Sequence, residues 1–142
     1  MTPPITEFSG EYRWLSNFWM APIEIQGWRF PSSEHAYQAA KSLDQNDWLA
    51  ISLLTSGQAK RFGRTIKIRA DWEEIKVDAM RSILTAKFLQ NPDLRARLIA
   101  TGDAELIEGN HWGDTFWGVC KGQGKNILGK LLMELRQSLS QG

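Results

Sequence analysis

The hydrophobic period of this chain changes once, and that change limits what it can fold into. Ile23, Ile25, Trp28 and Phe30 alternate with polar residues around Gln26-Gly27, which predicts a β-hairpin. Beyond Pro31 the apolar residues recur at helical spacing. No later run restores the strand–helix alternation of a doubly wound sheet. The expected class is α+β, mainly helical, as a single compact domain with a few short strands.

The helices follow from their punctuation. Ser32 or Ser33 can cap a helix over 33–44, and Glu34 in its first turn suits the helix dipole. Short helices are expected over 46–54 and 56–62, with Gly63 ending the second. Asp71-Trp-Glu-Glu74 is close to a capping box. It opens the longest expected helix, 72–89, with Ile75, Ala79, Ile83 and Ala86 on one stripe and Trp72, Met80 and Leu84 beside it. Asn91-Pro92 starts another helix with proline in its first turn, and Gly102 ends it. A short strand is expected over 104–108 and a glycine-rich loop over 109–124. The last helix, over 126–139, buries Leu128, Leu131, Leu132, Leu135 and Leu139.

Composition then excludes several classes of function. Lys and Arg number 17 against 16 Asp and Glu, a net charge of +1. A domain held mainly by bulk attraction to nucleic acid or membrane needs more than that. A single cysteine, Cys120, rules out an internal disulfide and a multi-thiolate zinc site. The N-terminal residues lack the basic and apolar regions of a signal peptide, and no stretch of about 18 apolar residues spans a membrane. The expected location is the cytoplasm. A chain of 142 residues suits one domain that buries about two-thirds of its unfolded surface. Its seven tryptophans are mostly core material, but one or two can serve as stacking platforms for a flat ligand.

Three stretches carry chemistry. In Pro31-Ser-Ser-Glu-His-Ala-Tyr-Gln-Ala-Ala-Lys41, Glu34, Gln38 and Lys41 share one helix face. They form either a solvated salt-bridged face or a carboxylate and an amine aimed at a ligand. Such a glutamate can position water or steady a sugar cation, and such a lysine can act as nucleophile or anchor. His35 faces elsewhere, as a core or capping residue. In Gly109-Asn-His-Trp-Gly-Asp-Thr-Phe-Trp-Gly118, Gly113 leaves one face of Trp112 open. Asp114 can accept hydrogen bonds from a ribose diol or simply cap a turn. In Lys121-Gly-Gln-Gly-Lys-Asn126, Gly122 and Gly124 before a helix can leave N–H groups for an anion. The histidines lack metal-ligand spacing, so no metal is expected. The basic run Arg61, Arg64, Lys67, Arg69 reads more as a solvated face than as a phosphate clamp.

Leu-Ser-Asn-Phe at 15–18, Ser-Glu-His-x-x-Gln-x-x-Lys at 33–41 and Trp-Gly-Asp…Gly-x-Gly-Lys-Asn-x-Leu-Gly-x-x-Leu-Met at 112–133 together resemble the NADAR family. The likeness covers residues 8–137 and implies a single NADAR-like N-glycosidase domain over 1–142. It implies a hydrolase without cofactor that cleaves the N-glycosidic bond of phosphoribosylamino-pyrimidine intermediates of riboflavin biosynthesis and releases ribose 5-phosphate. The alternatives are removal of ADP-ribose from guanine bases, with nucleic acid a partner only as the ADP-ribosylated substrate, or a non-catalytic ADP-ribose or NAD-binding module. By the same likeness Glu34, Lys41 and Asp114 are catalytic. Asn17 and Trp112 bind substrate by that likeness, and Gly113, Gly122, Gly124, Lys125 and Asn126 are expected to bind it from their place in the loop and before the last helix. Trp117-Gly-Val-Cys-Lys departs from the family, whose loop there is often glycine-rich.

Overall fold

A computed structural model describes residues 2–141. The chain divides into two compact units, Asn17–Asn91 and the described residues of Met1–Ser16 with Pro92–Gly142.

In the unit Asn17–Asn91, β1 (Met20–Ile25) and β2 (Trp28–Ser32) form an antiparallel hairpin that pairs Ile23 with Phe30 and Ile25 with Trp28. Gln26 and Gly27 both take positive φ, 53° and 85°, as a type I′ turn requires. The register slips between Met20 and Ile23, where Pro22 has no N–H to give to a ladder. Four helices follow: α1 (Ser33–Ala40), α2 (Gln45–Ser52), α3 (Ser56–Phe62) and α4 (Trp72–Gln90). Helix α1 packs against both strands and the other three helices. Its Ala36 and Ala39 join Ile23, Phe30, Ile51 and Ile83 in the core.

Ser32 is the N-cap of α1, accepting from the His35 amide. The helix stops at Ala40, short of the expected 44. Ser42 and Asp44 form the next turn: Asp44 caps α2 through the Asn46 amide at 2.9 Å, and Ser42 donates to Asp47 Oδ2 at 2.6 Å. A capping box is present, but at Thr55–Gln58 before α3. Asp71 makes no side-chain cap bond, because its two oxygens accept from Arg69 at 2.6 and 3.0 Å. Helix α4 buries Trp72, Met80, Ile83, Leu84, Lys87 and Phe88. Its buried face is therefore turned from the expected stripe, and Ile75, Ala79 and Ala86 are only partly covered.

In the other unit, α5 (Pro92–Ala100) starts at its proline as expected, and Gly102 follows with φ +65°. The expected 104–108 strand reduces to a single parallel bridge between Ile5 and Leu106. The bridge uses the Glu105 carbonyl and the Ile107 amide, and the Asn126 side chain takes the alternate backbone groups. Its Oδ1 accepts from the Glu108 amide and its Nδ2 donates to the Leu106 carbonyl, each at 2.9 Å. The short parallel pair is instead β3 (Gly109–Asn110) with β4 (Val119–Cys120). Helix α6 (Ile127–Gln141) buries all five of the expected leucines. The buried Arg136 donates to Thr101 Oγ1 and the Ala104 carbonyl.

Candidate active site

Helix α1 and the segment before the hairpin place one group of polar side chains together. The Glu34 amide donates to the Asn17 carbonyl at 3.0 Å. Ser33 Oγ donates to Asn17 Oδ1 at 2.8 Å, and Asn17 Nδ2 points to Met80 Sδ at 3.6 Å. Gln38 Nε2 donates to Glu34 Oε2 at 2.6 Å. Glu34 is 7% exposed and Gln38 3%, so this is a buried carboxylate held by an amide rather than a solvated ion-pair face. A buried carboxylate supported by hydrogen bonds can serve as base or electrostatic partner.

Gln38 is the residue to which sequence reasoning gave no role, although its i+4 spacing from Glu34 was the available signal. Among the described residues its buried Oε1 has no hydrogen-bond partner. Gly63 explains how the amide fits. A Cβ at position 63 would overlap the Gln38 carboxamide, and Gly63 itself has an ordinary helical φ of −59°. This glycine is needed for close approach, not for backbone freedom.

Lys41 follows α1 on the same face, half-buried, with Nζ 5.1 Å from the Tyr37 ring centre. Burial draws its amine below the ordinary lysine value. Glu34 opposes that shift, and Arg64, Lys60 and Lys76 add to it. The direction favours a neutral amine, the form that can attack carbon.

His35 is fully buried on the other side of α1, as expected. Its Nε2 lies 2.7 Å from the Leu54 carbonyl and its Nδ1 2.6 Å from Ser32 Oγ. Leu54 can only accept, so Nε2 carries the proton. Burial holds the ring below its ordinary pKa, against the Leu54 carbonyl. A cavity of about 260 Å³ also lies on the face opposite Glu34, lined by Trp28, Phe30, Ala36, Ala39, Trp48 and Ile83. It holds no carboxylate, and neither Glu34 nor Lys41 lines it.

The remaining candidates lie in the other unit. Trp112 is 56% exposed and packs edge-on against His111 at 5.3 Å. It is therefore not core, unlike the buried Trp14 and Trp72. Gly113 has φ +88°. Asp114 Oδ1 accepts from the Phe116 and Trp117 amides at 3.1 and 2.9 Å, so this oxygen closes a turn. Asn110, which sequence reasoning did not single out, holds the same loop through the Asp114 amide and carbonyl.

Gly122 and Gly124 have φ +75° and +149°. The Gly124 backbone lies where a Cβ would meet the Gly118 carbonyl. The amides of Lys125, Asn126, Ile127 and Leu128 donate to the carbonyls of Thr115, Gly118, Phe116 and Trp117. The first amides of α6 and the two before it are thus committed to the chain's own carbonyls. Asn126 is spent at both ends on Glu108 and Leu106. Lys125 Nζ sits 5.6 Å from the Phe116 ring centre.

The chain is an enzyme of the N-glycosidase class, as relatives 43% identical over most of its length are named. It belongs to the NADAR family, whose domain model matches residues 6–140. It is 43% identical over 136 residues to N-glycosidase YbiA of Escherichia coli, covering 93% of this chain and 84% of that protein. It is 42% identical over 131 residues to a riboflavin biosynthesis protein of Vibrio vulnificus, covering 89% of this chain and 35% of that longer protein. The NMR structure of E. coli YbiA superimposes with a TM-score of 0.87 at 41% identity, covering 98% of this chain and 86% of that one. Among the described residues no helix is long and apolar enough to cross a membrane.

Proposed function

We propose that this N-glycosidase hydrolyses the bond between ribose and the amine of phosphoribosylamino-pyrimidine intermediates of riboflavin biosynthesis, releasing ribose 5-phosphate. The observation that carries the chemistry is the buried Glu34 carboxylate, held by Gln38 at 2.6 Å on the helix face that ends in Lys41. The likeness to N-glycosidase YbiA supports the reaction, and the likeness to the Vibrio riboflavin biosynthesis protein supports the substrate class.

Cleavage of such a bond passes through an oxocarbenium-like state. Glu34 stabilises that charge at the anomeric carbon and accepts a proton from the attacking water. The water oxygen bonds to carbon as the carbon–nitrogen bond breaks, and the leaving amine takes up a proton. A buried site strengthens the carboxylate's effect, because low polarity magnifies charge. Lys41 either anchors the substrate or attacks the ring-opened sugar as an imine-forming nucleophile. The free, buried Cys120 is in keeping with a reducing compartment, and we place the enzyme in the cytoplasm.

The test incubates the protein with a phosphoribosylamino-pyrimidine, with ADP-ribosylated guanosine and with NAD. Ribose 5-phosphate from the first substrate is the expected product. Free ADP-ribose from the second, with no product from the first, would reassign the substrate. Binding of ADP-ribose or NAD without any released sugar would make the chain a binding module.

A further inference from the structure

We propose that Gln38, seated against Gly63, is a positioning residue for the cleavage: its carboxamide sets the Glu34 carboxylate, and Gly63 sets the carboxamide. The inference rests on the reading of Glu34 as the reacting carboxylate and adds two residues to that site, one of them on a different helix.

Two contacts, one at each end of the carboxamide, fix it. Nε2 donates to Glu34 Oε2 at 2.6 Å, one turn back along α1. At the other end Oε1 is buried and, among the described residues, has no hydrogen-bond partner. Gly63, the C-cap of α3, lies against that end. A Cβ at position 63 would overlap Oε1 and Cδ, and the third atom near it, Cγ, is also Gln38's. These contacts also decide which way the amide faces. Turned over, it would set its oxygen against the carboxylate, where negative charge meets negative charge. As it stands, its N–H group meets the carboxylate, which can only accept when ionised.

Packing alone does not account for an amide here. A buried acceptor without a partner is destabilising, and methionine would fill the same length without that cost. The orphaned oxygen is accounted for by the nitrogen beside it, which holds Glu34. Burial penalises a carboxylate, and a donor to its charged form works against that penalty. Glu34 is 7% exposed, so the donor matters. A carboxamide also carries no net charge. It fixes the carboxylate without neutralising it, and the negative charge stays available to a sugar cation. Gly63 completes the arrangement, because any side chain there would push the carboxamide off its place.

The experiment compares wild type with Gln38→Met, Gln38→Ala, Gly63→Ala, the double variant Gln38→Ala/Gly63→Ala, and Glu34→Gln, each checked for folding by its melting curve. Two quantities are read: kcat and KM on a phosphoribosylamino-pyrimidine, and the titration midpoint of Glu34 from the NMR signal of its carboxyl carbon. Gln38→Met keeps the length and removes the donor. Its kcat should fall roughly ten- to a hundredfold, the scale of a hydrogen bond to a charged group, with KM little changed. The Glu34 midpoint should rise by about one pH unit, a tenfold loss of the charged form. Gly63→Ala, at a φ of −59° that suits alanine, should act the same way by displacing the carboxamide. In Gln38→Ala the displaced atoms are gone, so adding Gly63→Ala should change neither quantity further. The charged groups about this face stay in every one of these variants: Lys41 on α1, Lys60 on α3, Arg64 after it and Lys76 on α4. Wild-type kcat and midpoint in Gln38→Met overturn the proposal. So does a loss from Gly63→Ala that is as large in the Gln38→Ala background as in wild type. An inactive Glu34→Gln beside a fully active Gln38→Met sinks the positioning role alone, whereas full turnover in Glu34→Gln removes the reading on which it rests. The carboxyl titration needs no substrate, so it decides on the Gln38 contact even where another glycoside proves to be the substrate.

Discussion

At the residue scale, the chemistry of α1 depends on which groups are held and which can move. Glu34 is fixed by the Asn17 carbonyl on its amide and by Gln38 on its carboxylate. Lys41 is drawn toward its neutral form by burial. If Lys41 attacks the sugar, borohydride added during turnover should leave a reduced sugar adduct on Lys41, read by mass spectrometry of the peptide. Absence of the adduct together with full activity in Lys41→Ala would leave Lys41 with no chemical part. Trp112 makes a second residue-scale prediction. An exposed side chain contributes little to the core, so Trp112→Ala should melt within a few degrees of wild type. If its indole stacks on the base, binding should weaken by roughly 5- to 150-fold, the range for about 1–3 kcal/mol of stacking. A large drop in Tm with unchanged binding would make Trp112 a packing residue despite its exposure.

At the element scale, α4 carries a side chain that its pattern disguised. Lys87 follows Met80 and Leu84 at helical spacing and precedes Phe88, so a lysine interrupts an apolar stripe. It is fully buried, with Nζ 5.3 Å from the Phe88 ring centre, and burial pulls its amine down to about 7. The unfolded chain, with an ordinary lysine, binds more protons than the folded chain between that value and about 10.5. Stability therefore rises with pH through this window. We expect stability to increase between pH 7 and 9 by on the order of 1–3 kcal/mol, visible as several degrees in Tm. Lys87→Met should flatten that rise. Parallel wild-type and variant curves would show that Lys87 does not titrate as described.

The elements were legible wherever a local rule decides them. The Gln26-Gly27 turn, the Ser32 cap, Pro92 in the first turn of α5 and the leucine face of α6 all follow from short-range chemistry. The misreadings came from side chains that take partners other than the ones their local pattern suggests. Asp71 accepts from the Arg69 guanidinium instead of capping its own helix, and Asn126 holds the Leu106 carbonyl and the Glu108 amide. Glu34, Gln38 and Lys41 could be placed on one face from their spacing alone. That Gln38 grips Glu34 depends on Gly63, 25 positions away, which no periodicity reveals.

At the scale of the whole molecule, a net charge of +1 over a chain whose NADAR domain spans residues 6–140 offers no bulk attraction to a polyanion. Non-specific binding to nucleic acid needs many phosphate contacts. The central claim is that the Glu34 carboxylate carries the cleavage. The direct measurement is kcat for ribose 5-phosphate release from a phosphoribosylamino-pyrimidine by wild type and by Glu34→Gln, with both proteins shown to melt alike. The substitution keeps the shape and removes the charge. A fall in kcat of roughly 10²-fold or more, the scale of a positioned acid–base group, is the result this account predicts; near-wild-type turnover in folded Glu34→Gln would contradict it.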